Sequence, residues 1–260
     1  MGNVNSKNRF SSRVADYVRY RPGYPPEVLQ CLQCDFGLGL QNSVADVGSG
    51  TGIFTQLLME QGHTVYAVEP NANMREAAEQ QLATNPRFKS INGSAEATTL
   101  PNSFVDAYVA AQALHWFDIP RARAEAMRIL RPEGLVALIW NNRLEQGPFL
   151  EAYESFLHEF AIDYAAIKHQ NAEVDGRIPT FFGHNQATRR CFHHAQRCDF
   201  ESLKGRTLSA SYMPSIDHPR FSAMIQTLKS AFDCHNIDGS VAIEYETVMY
   251  VGRLSDGTKK

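Results

Sequence analysis

Apolar positions along the chain switch repeatedly between two periods. A short β-branched run at 43–47 stops at three glycines spaced two apart, Gly48, Gly50 and Gly52. Ile53, Phe54, Leu57 and Leu58 then recur at helical spacing, and the pattern ends at Gly62. This predicts a strand, a tight glycine turn and a helix. A second strand follows from His63 to Val68. Beyond it the pattern predicts a helix over 72–83, a strand near 87–92, a strand over 104–110, a helix over 120–130 and a strand over 135–140. Strands alternating with helices imply a doubly wound α/β fold, a mostly parallel sheet with helices on both faces.

The flanks read differently. Residues 1–9 are polar. Ser11 or Ser12 can cap a short helix carrying Val14, Tyr17 and Val18 on one side, and Pro22 stops it. Arg21-Pro22-Gly23-Tyr24-Pro25 is a rigid turn, and Pro26 opens the next helix at a tolerated first-turn position. After Asn141 an amphipathic helix spans 148–168, with Phe149, Tyr153, Phe156, Leu157 and Phe160 on its apolar side. Residues 170–188 read as loop, 189–200 as a mixed run, Ser209 to Pro214 as a turn, 218–234 as a helix and 241–251 as a final strand. These spans divide the single domain into N-terminal lid helices at 10–35, a core at 43–141, a helical cap inserted after the fifth strand at 142–189, and remaining edge strands and helix at 190–251.

Composition narrows the function classes. At 260 residues, 43% hydrophobic and 20% charged, the chain has the make-up of an ordinary globular protein. A net charge of −3 and no long basic run give no electrostatic footprint for nucleic acid. No apolar stretch approaches the ~18 residues of a membrane span, and the polar N-terminus lacks the apolar core of a signal peptide. The five cysteines suit a reducing cytoplasm. Cys31-x-x-Cys34 lies in an apolar helical pattern with no second pair at zinc spacing, and His193-His194 with His184 nearby has no supporting ligands, so no metal is expected.

The glycine turn carries the chemistry. Glycine lets the backbone turn sharply and lets a ligand approach without meeting a Cβ. The next helix offers unpaired N–H groups and a positive dipole end. Glu69 stands at the tip of the second strand, where a nucleotide-type ligand presents its ribose hydroxyls. A dinucleotide fold wants G-x-G-x-x-G, which needs glycine at position 53; Ile53 is there instead.

Four motifs in order, Ala45-Asp46-Val47-Gly48-Ser49-Gly50-Thr51-Gly52, Val68-Glu69-Pro70, Gly93-Ser94-Ala95-Glu96 and Leu130-Arg131-Pro132-Glu133-Gly134, resemble those of the class I S-adenosylmethionine-dependent methyltransferases. The resemblance covers roughly residues 44–141. It implies a seven-stranded sheet whose sixth and seventh strands form an antiparallel edge pair, here near 190–197 and at Val241–Val251. It implies S-adenosylmethionine as cofactor, with Asp46 either capping the helix or reaching the methionine amino group, and Gly48, Ser49 and Gly50 beside the ligand. Glu69 and Pro70 fall at the ribose. Ser94, Ala95 and Glu96 fall at the adenine, with serine where the family usually has aspartate. Gln112 lies near the cofactor at the end of the fourth strand.

Ser12 to Tyr17, Arg21 to Pro25, and His115-Trp116-Phe117-Asp118 are similar to a small-molecule subset, the trans-aconitate methyltransferase-like enzymes. This implies that Tyr17 and Arg21 contact the cofactor and that Tyr24, His115, Trp116 and Trp140 line a substrate pocket between the fourth-strand loop and 148–188. His115 has two readings, a packed structural histidine beside Trp116 or a general base. The expected activity is methyl transfer to a small-molecule acceptor. The rivals are a nucleotide-dependent oxidoreductase, which the glycine spacing and the lack of a Tyr-x-x-x-Lys pair oppose, and a non-catalytic cofactor-binding protein. The identity and atom type of the acceptor and the oligomeric state stay open.

Overall fold

A computed structural model of the chain describes residues 19–165, 174–183 and 186–254. In chain order the elements are α1 (Glu27–Cys34), β1 (Ser43–Val47), α2 (Ile53–Glu60), β2 (Thr64–Val68), α3 (Ala72–Leu82), β3 (Phe88–Ile91), β4 (Val105–Ala111), α4 (Ile119–Ile129), β5 (Leu130–Arg143), α5 (Pro148–Phe160), α6 (Val174–Phe182), β6 (Thr188–Cys198), α7 (Phe200–Ser209), α8 (Phe221–His235) and β7 (Val241–Arg253). The strands form one seven-stranded sheet in the order β3-β2-β1-β4-β5-β7-β6. Pairs β3–β2, β2–β1, β1–β4 and β4–β5 are parallel. This is the doubly wound architecture the alternation implied.

The chain divides into two compact units. The larger holds Gly23–Asn141 and the described residues within Asn171–Phe192 and Thr247–Lys260. Its strands are apolar on both faces because both faces are covered. One face presents Ala45, Val47, Tyr108, Ala110, Val136 and Leu138 to α4 and α6. The opposite face presents Val44, Val65, Ala67, Val109, Ala137 and Ile139 to α1, α2 and α3. Polar caps set the helix starts: Asn71 accepts from the Met74 N–H at 3.2 Å and Asp118 from the Arg121 N–H at 3.3 Å.

The smaller unit holds Asn142–Gln170, His193–Glu246 and the residues up to Pro22, so far as they are described. Its core joins Phe149, Tyr153, Phe156 and Phe160 of α5 to Leu203 of α7, Met224 and Leu228 of α8, and Ile243 and Tyr245 of β7. Among the described residues no helix is long and apolar enough to cross a membrane.

Several boundaries differ from the sequence pattern. Residues 174–182 are helix, not loop, despite Gly176 and Pro179. Ile178, Phe181 and Phe182 are buried in the larger core, and that burial overrides poor helix propensity. Helix α5 stops at Phe160, short of 168. Helix α7 fills 201–208, a stretch to which the pattern assigned no element, and takes in Ser209, read as the start of a turn; Asp199 caps it through the Ser202 N–H at 2.8 Å. Residues 218–220 form a turn ahead of α8. The edge strands occupy Thr188–Cys198 and Val241–Arg253, each longer than the pattern implied.

Candidate cofactor site

Strand β1 delivers the chain into the glycine turn. Gly48 has φ +72, and a Cβ there would lie 2.6 Å from the Ala113 Cβ, so the turn is pressed against the β4 loop. Gly50 has φ +57, with open space where its Cβ would be. The first glycine is required for both packing and backbone conformation, the second for backbone conformation alone. Gly52 caps α2 without a side chain, so the first-turn N–H groups of that helix have no side-chain cap.

Glu69 is 8% exposed and binds the turn directly. Its Oε2 accepts the Gly50 N–H at 2.9 Å and its Oε1 accepts the Asn71 N–H at 2.8 Å. Arg75 holds the Glu69 carbonyl at 3.0 Å. Each carboxylate oxygen has two lone-pair positions. One on each is engaged by a backbone N–H. Pro70 follows in the connection to α3.

Asp46 is fully buried. Thr55 donates to its Oδ2 at 2.6 Å, while Oδ1 is buried with no partner. Burial pushes its carboxyl up to about 7, Thr55 opposes the rise, and the neighbouring Glu69 charge adds to it. Ser49 Oγ and Thr51 Oγ1 are likewise buried without partners. Buried polar atoms in native proteins are hydrogen-bonded. Orphaned groups along 46–51 fit the amino and carboxylate ends of an amino-acid moiety, one needing an acceptor and the other needing donors.

The 93–98 segment is a tight turn. Ser94 and Ala97 exchange backbone hydrogen bonds at 3.1 and 3.2 Å, and a Cβ on Gly93 would lie 2.7 Å from the Thr98 carbonyl. Ala95 is buried. Glu96 accepts the Asp118 N–H at 2.9 Å, tying the segment to the start of α4. Glu125 anchors the turn from behind, accepting from Thr98 N at 2.7 Å and Oγ1 at 2.5 Å, and from Arg128 Nε at 2.7 Å. Burial works against its charge, but Arg128 and Thr98 outweigh it and hold the carboxyl down at about 2.

At the end of β4, Gln112 has φ +56, unusual for a residue other than glycine. Its Nε2 donates to the Asn141 carbonyl at 2.9 Å. Asn141 in turn donates from Nδ2 to the Gly23 carbonyl at 2.9 Å and accepts from Thr247 Oγ1 at 2.6 Å. Asn141 therefore ties the ends of β4 and β5 to β7 and to the Gly23–Pro25 turn. Tyr24, in that turn, places its ring edge-on to Phe54 of α2 at 4.9 Å.

His115 lies in a 3₁₀ turn at Leu114–Trp116. Its ring is 4.7 Å from that of Trp116 and 6.3 Å from that of Trp140. Its Nδ1 and the Trp140 Nε1 are buried without partners. Burial, with the Arg177 charge adding, pushes the imidazole down to about 4, so the ring is neutral at physiological pH. Arg177 donates to the carbonyls of His115 and Phe117, both at 3.4 Å.

Of the residues expected at the site, the larger unit contains Tyr24, Asp46, Gly48, Ser49, Gly50, Glu69, Pro70, Ser94, Ala95, Glu96, Gln112, His115, Trp116 and Trp140. Arg21 belongs to the smaller unit, where its Nη2 reaches the Ser209 carbonyl at 3.4 Å. Tyr17 lies outside the described residues, as do Ser11, Ser12, Val14, Val18 and His184. Thr55, Thr51 and Asn141 were not picked out from sequence. Asn141 was legible only as the end of a strand. Among the described residues no three His, Cys, Asp or Glu side chains are gathered as metal ligands.

The parallel strands β3-β2-β1-β4-β5, with an acidic side chain at the tip of β2 holding a glycine turn at the tip of β1, have the arrangement of the class I S-adenosylmethionine-dependent methyltransferase fold. Residues 45–138 match the methyltransferase domain family. Over 137 residues the chain is 40% identical to an uncharacterized methyltransferase of Mycobacterium tuberculosis, covering 53% of this chain and 54% of that protein. It is 30% identical over 151 residues to an uncharacterized methyltransferase of Schizosaccharomyces pombe, covering 58% and 59%. The matches thus span about half the length of these curated relatives. A candidate type II methyltransferase from Anaeromyxobacter dehalogenans shares the fold with a TM-score of 0.65 at 19% identity, covering 90% of this chain and 98% of that one. These matches lend no support to an oxidoreductase or a non-catalytic binding protein.

Proposed function

We propose that the protein transfers a methyl group from S-adenosylmethionine to a small-molecule acceptor. The observation that carries the reading is the pairing of Glu69 with the Gly50 N–H beside orphaned Asp46 Oδ1, Ser49 Oγ and Thr51 Oγ1. Glu69 is suited to the ribose hydroxyls and Asp46 to the amino group. The cofactor supplies an electrophilic methyl group on a positively charged sulfur. The chain's own residues have to hold, orient and exclude water. His115, kept neutral, can take a proton from a hydroxyl or amine acceptor; a carboxylate acceptor needs no base. The net charge of −3 favours a small acceptor over a polyanionic one. Calorimetry with S-adenosylhomocysteine, followed by transfer of labelled methyl from S-adenosylmethionine to an acceptor panel, tests the reading. Binding of NAD in place of S-adenosylhomocysteine would defeat it.

A further inference from the structure

The larger unit brings two unpaired ring nitrogens together. His115 stands in the 3₁₀ turn that follows β4. Trp140 is the last buried residue of β5, one position past the final register pair of β4 with β5, Ala111 with Ile139. Their ring centres are 6.3 Å apart, with the planes tilted by 58°. His115 Nδ1 and Trp140 Nε1 are both buried, and neither has a hydrogen-bond partner among the described residues. Buried polar atoms left unpaired are costly, and native proteins rarely keep them. Two of them side by side point to a group that enters from outside.

Their place in the unit suits a reacting group. A Cβ on Gly48 would lie 2.6 Å from the Ala113 Cβ and 3.5 Å from the Phe117 Cε1, so the segment that carries His115 is packed against the glycine turn. Ala113 and Phe117 share one core with Trp140. All of these residues belong to the same unit. In an open α/β sheet, ligands lie beyond the carboxyl ends of the strands, where both rings stand. Arg177 of α6 holds this turn through the His115 and Phe117 carbonyls, each at 3.4 Å. Its positive charge favours a neutral imidazole and favours negative charge on a neighbouring oxygen.

The two nitrogens discriminate among acceptor groups. An indole N–H only donates, and a neutral imidazole donates from one nitrogen and accepts at the other. A hydroxyl has one proton and two lone pairs. It can donate to a bare Nδ1, accept from the indole N–H with one lone pair, and keep the second for bond formation. A neutral amine has one lone pair, and accepting from Trp140 would occupy the pair that must attack. A carboxylate has no proton to give and leaves a bare Nδ1 unpaired. Two hydrogen bonds of about 2.8 Å let one oxygen bridge atoms roughly 5.5 Å apart. Rings with centres 6.3 Å apart allow that.

We propose that His115 Nδ1 and Trp140 Nε1 clamp a hydroxyl, so that the acceptor is an alcohol or phenol methylated on oxygen, with Trp140 setting the preference for oxygen. In the transfer, the free lone pair of the hydroxyl oxygen forms the C–O bond. The bond between the methyl carbon and sulfur breaks with its electron pair left on sulfur, and the hydroxyl proton passes to His115 Nδ1. The acceptor class rests on the methyl-transfer reading; the state of the two ring nitrogens does not.

Two measurements on the full chain test this. Nitrogen NMR at neutral pH reads the His115 tautomer directly; the expected form has a bare Nδ1 with the proton on Nε2, and a protonated Nδ1 would overturn the clamp. Phenols and alcohols are then screened by thermal shift with S-adenosylhomocysteine present, beside their methyl ethers and the carboxylic acids and amines of matching size. Calorimetry follows on the strongest. At least one hydroxyl compound should raise the melting temperature, move the Trp140 indole N–H resonance, and bind more tightly than its ether, acid and amine counterparts. Trp140→Phe keeps a ring and loses the N–H; there the Kd of that compound should rise about five- to tenfold, as for one lost hydrogen bond, with S-adenosylhomocysteine affinity unchanged. If Trp140→Phe fails to fold, the indole resonance and the ether comparison in the wild type decide. No hydroxyl compound bound, an ether, acid or amine bound as tightly, an unmoved indole resonance, or a wild-type Kd in Trp140→Phe would overturn the proposal. A chain that shows the bare Nδ1 and binds a hydroxyl compound but not S-adenosylhomocysteine would instead sink the methyl-transfer reading and leave the clamp standing.

Discussion

Glu69 accepts the backbone N–H of Gly50 at 2.9 Å, so the tip of β2 holds the turn at the tip of β1. The same side chain also accepts the Asn71 N–H at 2.8 Å, so it shapes the loop from two sides. In the proposed function this carboxylate also serves the ribose hydroxyls, and its replacement then costs binding as well as loop geometry.

Replacing it gives a graded result. Glu69→Gln keeps the shape and an acceptor oxygen but loses the charge. Glu69→Ala loses both. S-adenosylhomocysteine binding should weaken by about 1–3 kcal/mol in Glu69→Ala, the range for a charged hydrogen bond, and by less in Glu69→Gln. Calorimetry on the folded variants decides; wild-type affinity in Glu69→Ala would remove this residue from the site.

Asp46 should make ligand-free stability depend on pH. Its carboxyl is raised from 3.8 to about 7, chiefly by burial. Between those values the folded chain holds a proton that the unfolded chain has lost. Stability contributed by this group therefore falls as pH rises through that window. Asp46→Asn should flatten this slope and melt higher than wild type at pH 8 without ligand. S-adenosylhomocysteine, by pairing its amino group with the ionised form, should bind the wild type more tightly at pH 8 than at pH 6. Parallel melting curves for wild type and variant across pH 5–8 would exclude the role.

The sheet and the glycine turn were legible because they depend on local rules. Gly48 and Gly50 stand where left-handed backbone is needed, and short, near-continuous apolar runs mark strands covered on both faces. The position of Glu69 at the tip of β2 was legible because a strand tip has a fixed place in this architecture; its hold on the Gly50 N–H was not. Asn141 was not, since its three partners at Gly23, Gln112 and Thr247 come together only through the tertiary fold. The helix at 200–209 was not either: the pattern assigned no element to 201–208, and its burial shows only in the fold, where a Cβ on Gly205 would lie 2.2 Å from the Tyr20 ring. Helix α6 was masked by Gly176 and Pro179, whose local preference is outweighed by burial of Phe181 and Phe182.

Glu125 should support the 93–98 turn rather than the chemistry. Its carboxyl is lowered from 4.5 to about 2, with Arg128 and Thr98 outweighing burial. The stabilisation is present above pH 4.5 and is lost as pH falls toward 2. Glu125→Gln should cost about 1–3 kcal/mol of stability near neutral pH, since Arg128 is partly exposed and solvent screens the pair. Chemical denaturation measures this. S-adenosylhomocysteine affinity should change by less than stability does, and the reverse ordering would place Glu125 in the site itself.

His115 gives the test of acceptor chemistry. Its imidazole is lowered from 6.5 to about 4, by burial first and Arg177 second. The ring is then neutral from about pH 5 upward, and wild-type turnover should show no step near 6.5 that belongs to this residue. Folding stability should fall as pH drops from 6.5 toward 4, because the unfolded histidine takes up its proton first. If the reacting group of the acceptor is a hydroxyl or amine, His115→Ala should slow the chemical step by about 10²–10⁴-fold, the usual loss on removing a general base. If the reacting group is a carboxylate, no proton moves, and the variant should keep its single-turnover rate while its KM for the acceptor rises. His115→Phe, which keeps ring packing between Trp116 and Trp140, separates a packing role from both. Wild-type rate and KM in His115→Phe would make the histidine a purely structural ring.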